Sequence, residues 1–121
     1  MTYTPYPLRD VTTSEHFTGE YVEGKAIHRK LVKQSGNMTV SSTTTFAHGI
    51  TGMTKLVAMY GTILRSSGTT IQLDWHDRTT GTAFHIRTYI NGSNIAIELG
   101  SGWTGAGNVL SDAWVVVEYL K

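Results

Sequence analysis

The chain has 121 residues, enough for one domain with its own core. Only 16% of the residues are charged and the formal net charge is +1, so the strongly basic surface of a nucleic-acid or membrane-surface binder is missing. There is no cysteine, which excludes disulfides, thiolate metal ligands and a thiol nucleophile. We therefore expect that the protein neither binds nucleic acid nor inserts into a membrane.

The N-terminal part of the chain is predicted to contain an extended leader followed by a hairpin. Pro5 and Pro7 favour extended geometry over residues 1–13, and a single β-sandwich domain is expected over 14–121. Strands are predicted at 15–22 and 25–33, joined by a tight turn at Glu23-Gly24. The segment SGN at 35–37 interrupts the pattern, and the threonine-rich segment at 38–48 suits a further strand.

The middle of the chain alternates between apolar and polar residues. KLVAMYGTIL at 55–64 is apolar on both alternating sets, which fits a strand covered on both faces or a short buried helix; Gly61 and the β-branched residues favour the strand. A half-buried strand is predicted to place Ile71, Leu73 and Trp75 on one face. A loop is predicted at 76–81, and a strand over 82–90 with Phe84, Ile86 and Ile90 on one face.

The C-terminal third contains the strongest hairpin signal. Asn91-Gly92 lies between two alternating runs and predicts a turn of two or four residues, after which Ile95, Ile97 and Leu99 face the core. A mobile glycine-rich loop is expected at 100–108, followed by a last strand at 112–120 that is apolar on both faces. Its longest apolar run, AWVVV, is far shorter than the roughly 20 residues that span a bilayer.

Together these elements predict an all-β fold. Seven to eight strands separated by glycine turns favour an antiparallel β-sandwich or barrel. Two strands that are apolar on both faces exceed what one small core needs, and a subunit interface would bury the excess.

The segment TSEHFTGEYVEGKAIHRKLV at 13–32 resembles a pattern in the C-terminal domains of bacteriophage tail-fibre and receptor-binding proteins. The matching positions are Ser14, Glu15, Gly19, Tyr21, Val22, Glu23, Gly24, Lys25, Ile27, His28 and Lys30. Further agreement comes from AHGI at 47–50, YINGSNIAIELG at 89–100 and AWVVVEYLK at 113–121, in the same order along most of the chain. The family usually has Asp-Gly at 23–24, and often Pro at 26 and Tyr at 28, where this chain has Glu-Gly, Ala and His.

The resemblance implies a homotrimeric, β-rich knob at the tip of a virion tail fibre, made in the host cytoplasm. It also implies contact with the bacterial surface during adsorption, without a cofactor.

Catalytic and metal-binding patterns are weak. The five histidines show no ligand spacing. His76, Asp77 and His85 would nevertheless come close together if the runs 71–75 and 82–90 pair as a hairpin. Eight carboxylates could supply a glycosidase pair, yet such a pair needs two groups roughly 5–10 Å apart across a sugar, which sequence does not place. We therefore expect no enzymatic activity, no metal and no cofactor.

Two aromatic segments are candidates for ligand binding. A sugar offers an apolar ring face and a rim of hydroxyls, so its site needs an aromatic platform beside polar groups. DWHDR at 74–78 supplies Trp75, His76, Asp77 and Arg78, and SGWTGAGN at 101–108 supplies Trp103 and Asn108. Trp75 also fits a core position, the glycines around Trp103 offer it little core to join, and Trp114 is assigned to packing.

The sequence thus favours a fibre-tip module that binds a bacterial surface polysaccharide or protein. One alternative is a structural virion component that binds other tail or capsid proteins, and another is a depolymerase fragment.

Overall fold

A computed structural model of the protein describes residues 11–74 and 84–121. This part of the chain forms eight strands and contains no helix long and apolar enough to cross a membrane. In chain order the strands are β1 His16–Val22, β2 Lys25–Asn37, β3 Thr43–Ala47, β4 Lys55–Arg65, β5 Thr70–Gln72, β6 Ile86–Asn91, β7 Asn94–Leu99 and β8 Leu110–Leu120. The prediction of an all-β antiparallel sandwich of seven to eight strands is confirmed.

The strands form two antiparallel sheets that share one core. The larger sheet has the order β1-β2-β8-β4-β5, and the smaller has the order β3-β7-β6. The buried cluster includes Ile63, Val115 and Val117 from the larger sheet, and Ile95 and Ile97 from the smaller one. The predicted inward direction of Ile95, Ile97 and Leu99 is confirmed, since each is at most 2% exposed.

β8 is the middle strand of the larger sheet, and its two faces have different neighbours. Val115 and Val117 are fully buried against the smaller sheet. The alternating residues Trp114, Val116 and Glu118 point to the opposite side, because successive side chains of a strand alternate. The inner face is apolar as predicted, whereas the outer face mixes Trp114 and Val116 with the acidic Glu118.

The opening hairpin has the predicted turn, but its second strand is longer than predicted. Val22 pairs with Lys25, and the two residues between them have φ of 49° and 77°, the left-handed pair that a two-residue hairpin turn requires. The interruption at 35–37 does not end the strand. Instead, the register with β8 shifts between Gln34 and Asn37, so a bulge absorbs the irregular residues and β2 continues.

His48, in the segment AHGI at 47–50, holds the end of β3 in place. The imidazole is 4% exposed, and its Nε2–H donates to the carbonyl oxygen of Gly92 (2.9 Å) while Nδ1 accepts from the N–H of Ile50 (3.0 Å). Asn91 pairs with Asn94, so the predicted hairpin turn has two residues. His48 therefore fixes the end of β3 to the β6–β7 turn.

The edges of the larger sheet are irregular or short. The register of β1 against β2 shifts between Phe17 and Tyr21, and β5 has only three residues. Ahead of β1, the carbonyl oxygen of Thr12 accepts a hydrogen bond from the N–H of Leu31 (2.8 Å). The chain is therefore attached to β2 before residue 14; residues 1–10 of the predicted leader lie outside the described part.

The opening segment is joined to the C-terminal strand through Glu15. The Tyr119 hydroxyl donates to one carboxylate oxygen of Glu15, and Lys121 Nζ lies 2.6 Å from the other. Partial burial raises the pKa of Glu15, but the hydrogen bonds from Lys121 and Tyr119 together with the Lys121 charge outweigh it, so the net pKa is lowered. The same carboxylate and the burial of Tyr119 raise the pKa of the phenol well above its ordinary value.

The lowered pKa makes Glu15 a source of acid sensitivity. Because its pKa is lower in the folded state, its contribution is complete above the ordinary value of 4.5 and is lost as the pH falls through the folded value. We expect Glu15→Gln to lower the urea midpoint at neutral pH and to flatten the loss of stability below about pH 5. The exposed Glu20 of β1 supplies the control Glu20→Gln. Wild-type and Glu15→Gln curves of equal slope against pH would contradict this role.

Candidate ligand-binding face

Among the described residues, two half-exposed aromatic side chains lie on the outer side of the larger sheet. Cross-strand pairing places Lys33 of β2, Trp114 of β8, Thr62 of β4 and Gln72 of β5 opposite one another in a single row. We call this surface the Trp114 face. It comprises that row and the neighbouring outer residues Arg29, Glu118, Tyr60 and Asp74.

Two aromatic side chains of this face are open to solvent. Trp114 is 50% exposed and Tyr60 is 46% exposed. Lys33 Nζ lies 4.3 Å from the centroid of the Trp114 ring, a cation–π contact worth about 0.5–1 kcal/mol at an exposed site. The indole is therefore oriented by a neighbour while half of its surface stays available for stacking.

An ion pair fixes the second aromatic residue. Arg29 Nη2 lies 2.8 Å from Glu118 Oε2, and both side chains are only 15% exposed. The Tyr60 hydroxyl donates to the same carboxylate oxygen (3.1 Å). Burial and then the Glu118 charge raise the pKa of Tyr60, so the phenol stays a neutral donor.

A depression of about 350 Å³ lies beside Tyr60, between β4 and the chain that follows β5. Its lining includes Tyr60, Gly61, Thr62, Gln72 and Asp74. The side chains of Thr62, Gln72 and Asp74 are exposed and make no hydrogen bond with another described residue. Three polar groups are thus available to a ligand next to an aromatic wall.

The structure gives a different account of Trp103 from the one expected. The expectation that this residue has little core to join is wrong: it is 3% exposed, packs edge-on against Phe84 at 5.2 Å, and donates its indole N–H to the carbonyl oxygen of His85 (3.0 Å). A long-range contact with the segment before β6 covers the ring, although its sequence neighbours are glycines. Trp103 therefore cannot serve as an exposed platform in this conformation.

The other predicted binding residues are dispersed or lie outside the described part. The Asn108 side-chain oxygen accepts two hydrogen bonds from the Arg65 guanidinium, so it ties the loop to the end of β4. Trp75, His76, Asp77 and Arg78 lie outside the described residues. The assignment of Trp114 to packing is wrong, because half of its side chain is exposed.

A cavity of about 390 Å³ nevertheless adjoins the predicted segment. It is lined by Trp103 together with Arg65, Ile71, Gln72 and Asp74. Gln72 and Asp74 also line the depression on the Trp114 face, so the two hollows meet at β5. The side chains of Gln72 and Asp74, at the end of β5, thus line both hollows.

The described residues contain no cluster of metal ligands. Within 11–74 and 84–121, no three His, Asp or Glu side chains converge in a way that could hold a metal ion. His85 Nε2 lies 3.7 Å from Glu98 Oε1 beside a serine-lined depression, which is longer than a hydrogen bond. At this distance His85 and Glu98 form no direct hydrogen bond with each other.

Comparison with known proteins adds no assignment. No protein-family model matches the chain, and neither a curated protein nor a solved structure shows significant similarity to it.

Proposed function

We propose that the protein is a non-enzymatic receptor-binding module at the tip of a bacteriophage tail fibre. It acts as a homotrimer and attaches the virion to a polysaccharide or protein of the bacterial surface. The observation that carries this proposal is the Trp114 face, where two half-exposed aromatic side chains lie beside free hydrogen-bonding groups. The resemblance of 13–32 and of the C-terminal strand to tail-fibre domains supports the same proposal.

The chemistry of this face suits reversible attachment. Exposed aromatic residues give large contact area at low cost in side-chain entropy, and the polar groups beside them fix the orientation of a ligand. A single shallow face binds weakly, but three copies on one trimer would act together and raise the overall affinity by avidity. Weak individual sites are therefore compatible with firm adsorption.

Adsorption of the purified protein to bacterial cells tests the function. We expect the labelled wild-type protein to adsorb to its host strain, and Trp114→Ala to reduce adsorption at least about tenfold because the stacking surface is lost. The matched control is Tyr21→Ala, which removes a somewhat more exposed aromatic residue (62%) from the edge strand β1 and should leave adsorption unchanged. Circular dichroism of each variant checks that it is folded.

The mass of the protein in solution is measured on the same samples. Light scattering should give three times the chain mass of 13.3 kDa for the wild type and for Trp114→Ala. A wild-type monomer at micromolar concentration would contradict the trimer. Binding to virion proteins without adsorption to any cell would favour a structural virion role instead.

A further inference from the structure

The nature of the ligand follows from the layout of the Trp114 face, and this inference rests on the proposed function. Lys33, Trp114, Thr62 and Gln72 occupy one cross-strand row on β2, β8, β4 and β5. Neighbouring strands lie about 4.8 Å apart, so three strand spacings give the row a length of about 14 Å. A ligand that uses the whole row is extended and runs across the strands.

The two sides of the indole differ along this row. Lys33 on β2 lies over the ring, whereas the neighbour on β4 is the short side chain of Thr62. The side of the indole that faces β4 is open. Beyond Thr62 in that direction lies the depression of about 350 Å³, which Gln72 and Asp74 help to line. A sugar chain stacked on Trp114 therefore meets the Lys33 ammonium on the β2 side and the uncharged and acidic groups of Gln72 and Asp74 on the β5 side.

The charges of the face do not favour an ionic ligand. Arg29 and Glu118 form an ion pair at 2.8 Å and neutralise each other. Lys33 at one end of the row and Asp74 near the other have opposite signs, and the whole chain has a formal net charge of only +1. A polyanion would be attracted by Lys33 at one end of the row but repelled by the Asp74 carboxylate at the other.

We propose that the Trp114 face binds an uncharged polysaccharide that lies across the strands, with one sugar ring stacked on Trp114 and the hydroxyls of a neighbouring sugar bonded by Gln72 and Asp74. A pyranose ring has an apolar face for the indole and a rim of hydroxyls that both donate and accept. The Gln72 amide supplies a donor and an acceptor, and the Asp74 carboxylate supplies acceptors. A carboxylate accepts short, strong hydrogen bonds from hydroxyls and meets no charge repulsion from a neutral sugar.

Affinity electrophoresis with purified polysaccharides tests this proposal. The probes are uncharged mannan, galactan and dextran, set against the acidic polymers alginate and polygalacturonate. We expect at least one uncharged polymer to retard the wild-type protein, with little change when salt is raised from roughly 0.05 to 0.5 M, because salt screens charge interactions. Trp114→Ala should weaken binding at least about tenfold, and Gln72→Ala about three- to tenfold, the range expected for one hydrogen bond. Tyr21→Ala should bind like the wild type.

The outcomes separate this proposal from the proposed function. Retardation by acidic polymers alone, or binding that salt abolishes, overturns the uncharged ligand. Adsorption to cells that requires Trp114 but is accompanied by no retardation in any uncharged polymer also overturns it, while the receptor-binding function stands. If Trp114→Ala instead lowers the solution mass, the face is a contact between copies of this chain, and both the ligand and the site are wrong.

Discussion

Gly61→Ala is expected to lower the free energy of unfolding by about 3 kcal/mol or more, or to prevent folding. A Cβ at this position would overlap the carbonyl oxygen of Trp114, lie 2.9 Å from its carbonyl carbon and approach Leu73 Cδ1 to 3.1 Å. The obstructing atoms belong to the backbone of β8, which is held by β2 on its other side. Neither strand can give way without breaking the register in which Gly61 pairs with Val115.

A glycine in open space supplies the control for this substitution. Gly68 has a φ of 94° and no heavy atom within 4 Å of its potential Cβ, so Gly68→Ala should cost only the left-handed backbone strain, about 1–2 kcal/mol. Urea unfolding followed by circular dichroism measures both changes. Equal losses for the two variants would show that the close approach of β4 to β8 is not what requires glycine at 61.

Trp103→Ala is expected to destabilise the protein by about 3–5 kcal/mol, the usual cost of truncating a buried aromatic residue. The substitution removes the edge-on contact with Phe84 and leaves the carbonyl oxygen of His85 without the indole donor. The milder Trp103→Phe keeps most of the packing and loses the hydrogen bond, so about 1 kcal/mol is expected. Thermal unfolding of both variants gives the comparison.

The effect of Trp103 on ligand binding should differ from that of Trp114. At a temperature where it is folded, Trp103→Phe should adsorb to cells like the wild type, because its ring faces the core. Loss of adsorption by this folded variant would show that Trp103 belongs to the binding site. The pair of residues therefore separates a tryptophan that holds the fold from one that contacts the ligand.

Local patterns predicted the strands well because alternation records which side of a strand is buried. Ile95, Ile97 and Leu99 are buried as their spacing indicated, and Asn91-Gly92 marks the β6–β7 turn. The bulge at 35–37 was not predictable from the same rule. A bulge keeps a strand paired although the alternation of its side chains is interrupted, so in the sequence it resembles the end of a strand.

The candidate site was the least predictable part, for two physical reasons. Trp103 lies among glycines, yet the segment before β6, distant in sequence, covers it. Trp114 lies in a run that is apolar on both faces, and periodicity does not tell which face a second sheet covers. Only the position of the three-stranded sheet, over Val115 and Val117, leaves Trp114 on the open side.

The edges of the larger sheet bear on how such modules behave when crowded together. An exposed, regular edge strand offers unpaired N–H and C=O groups to any neighbouring molecule and so promotes fibrous aggregation. Here β5 is only three residues long, and the register shift between Phe17 and Tyr21 interrupts β1. Both edges of the sheet are therefore poor templates for an added strand, which disfavours edge-to-edge aggregation even at high local concentration.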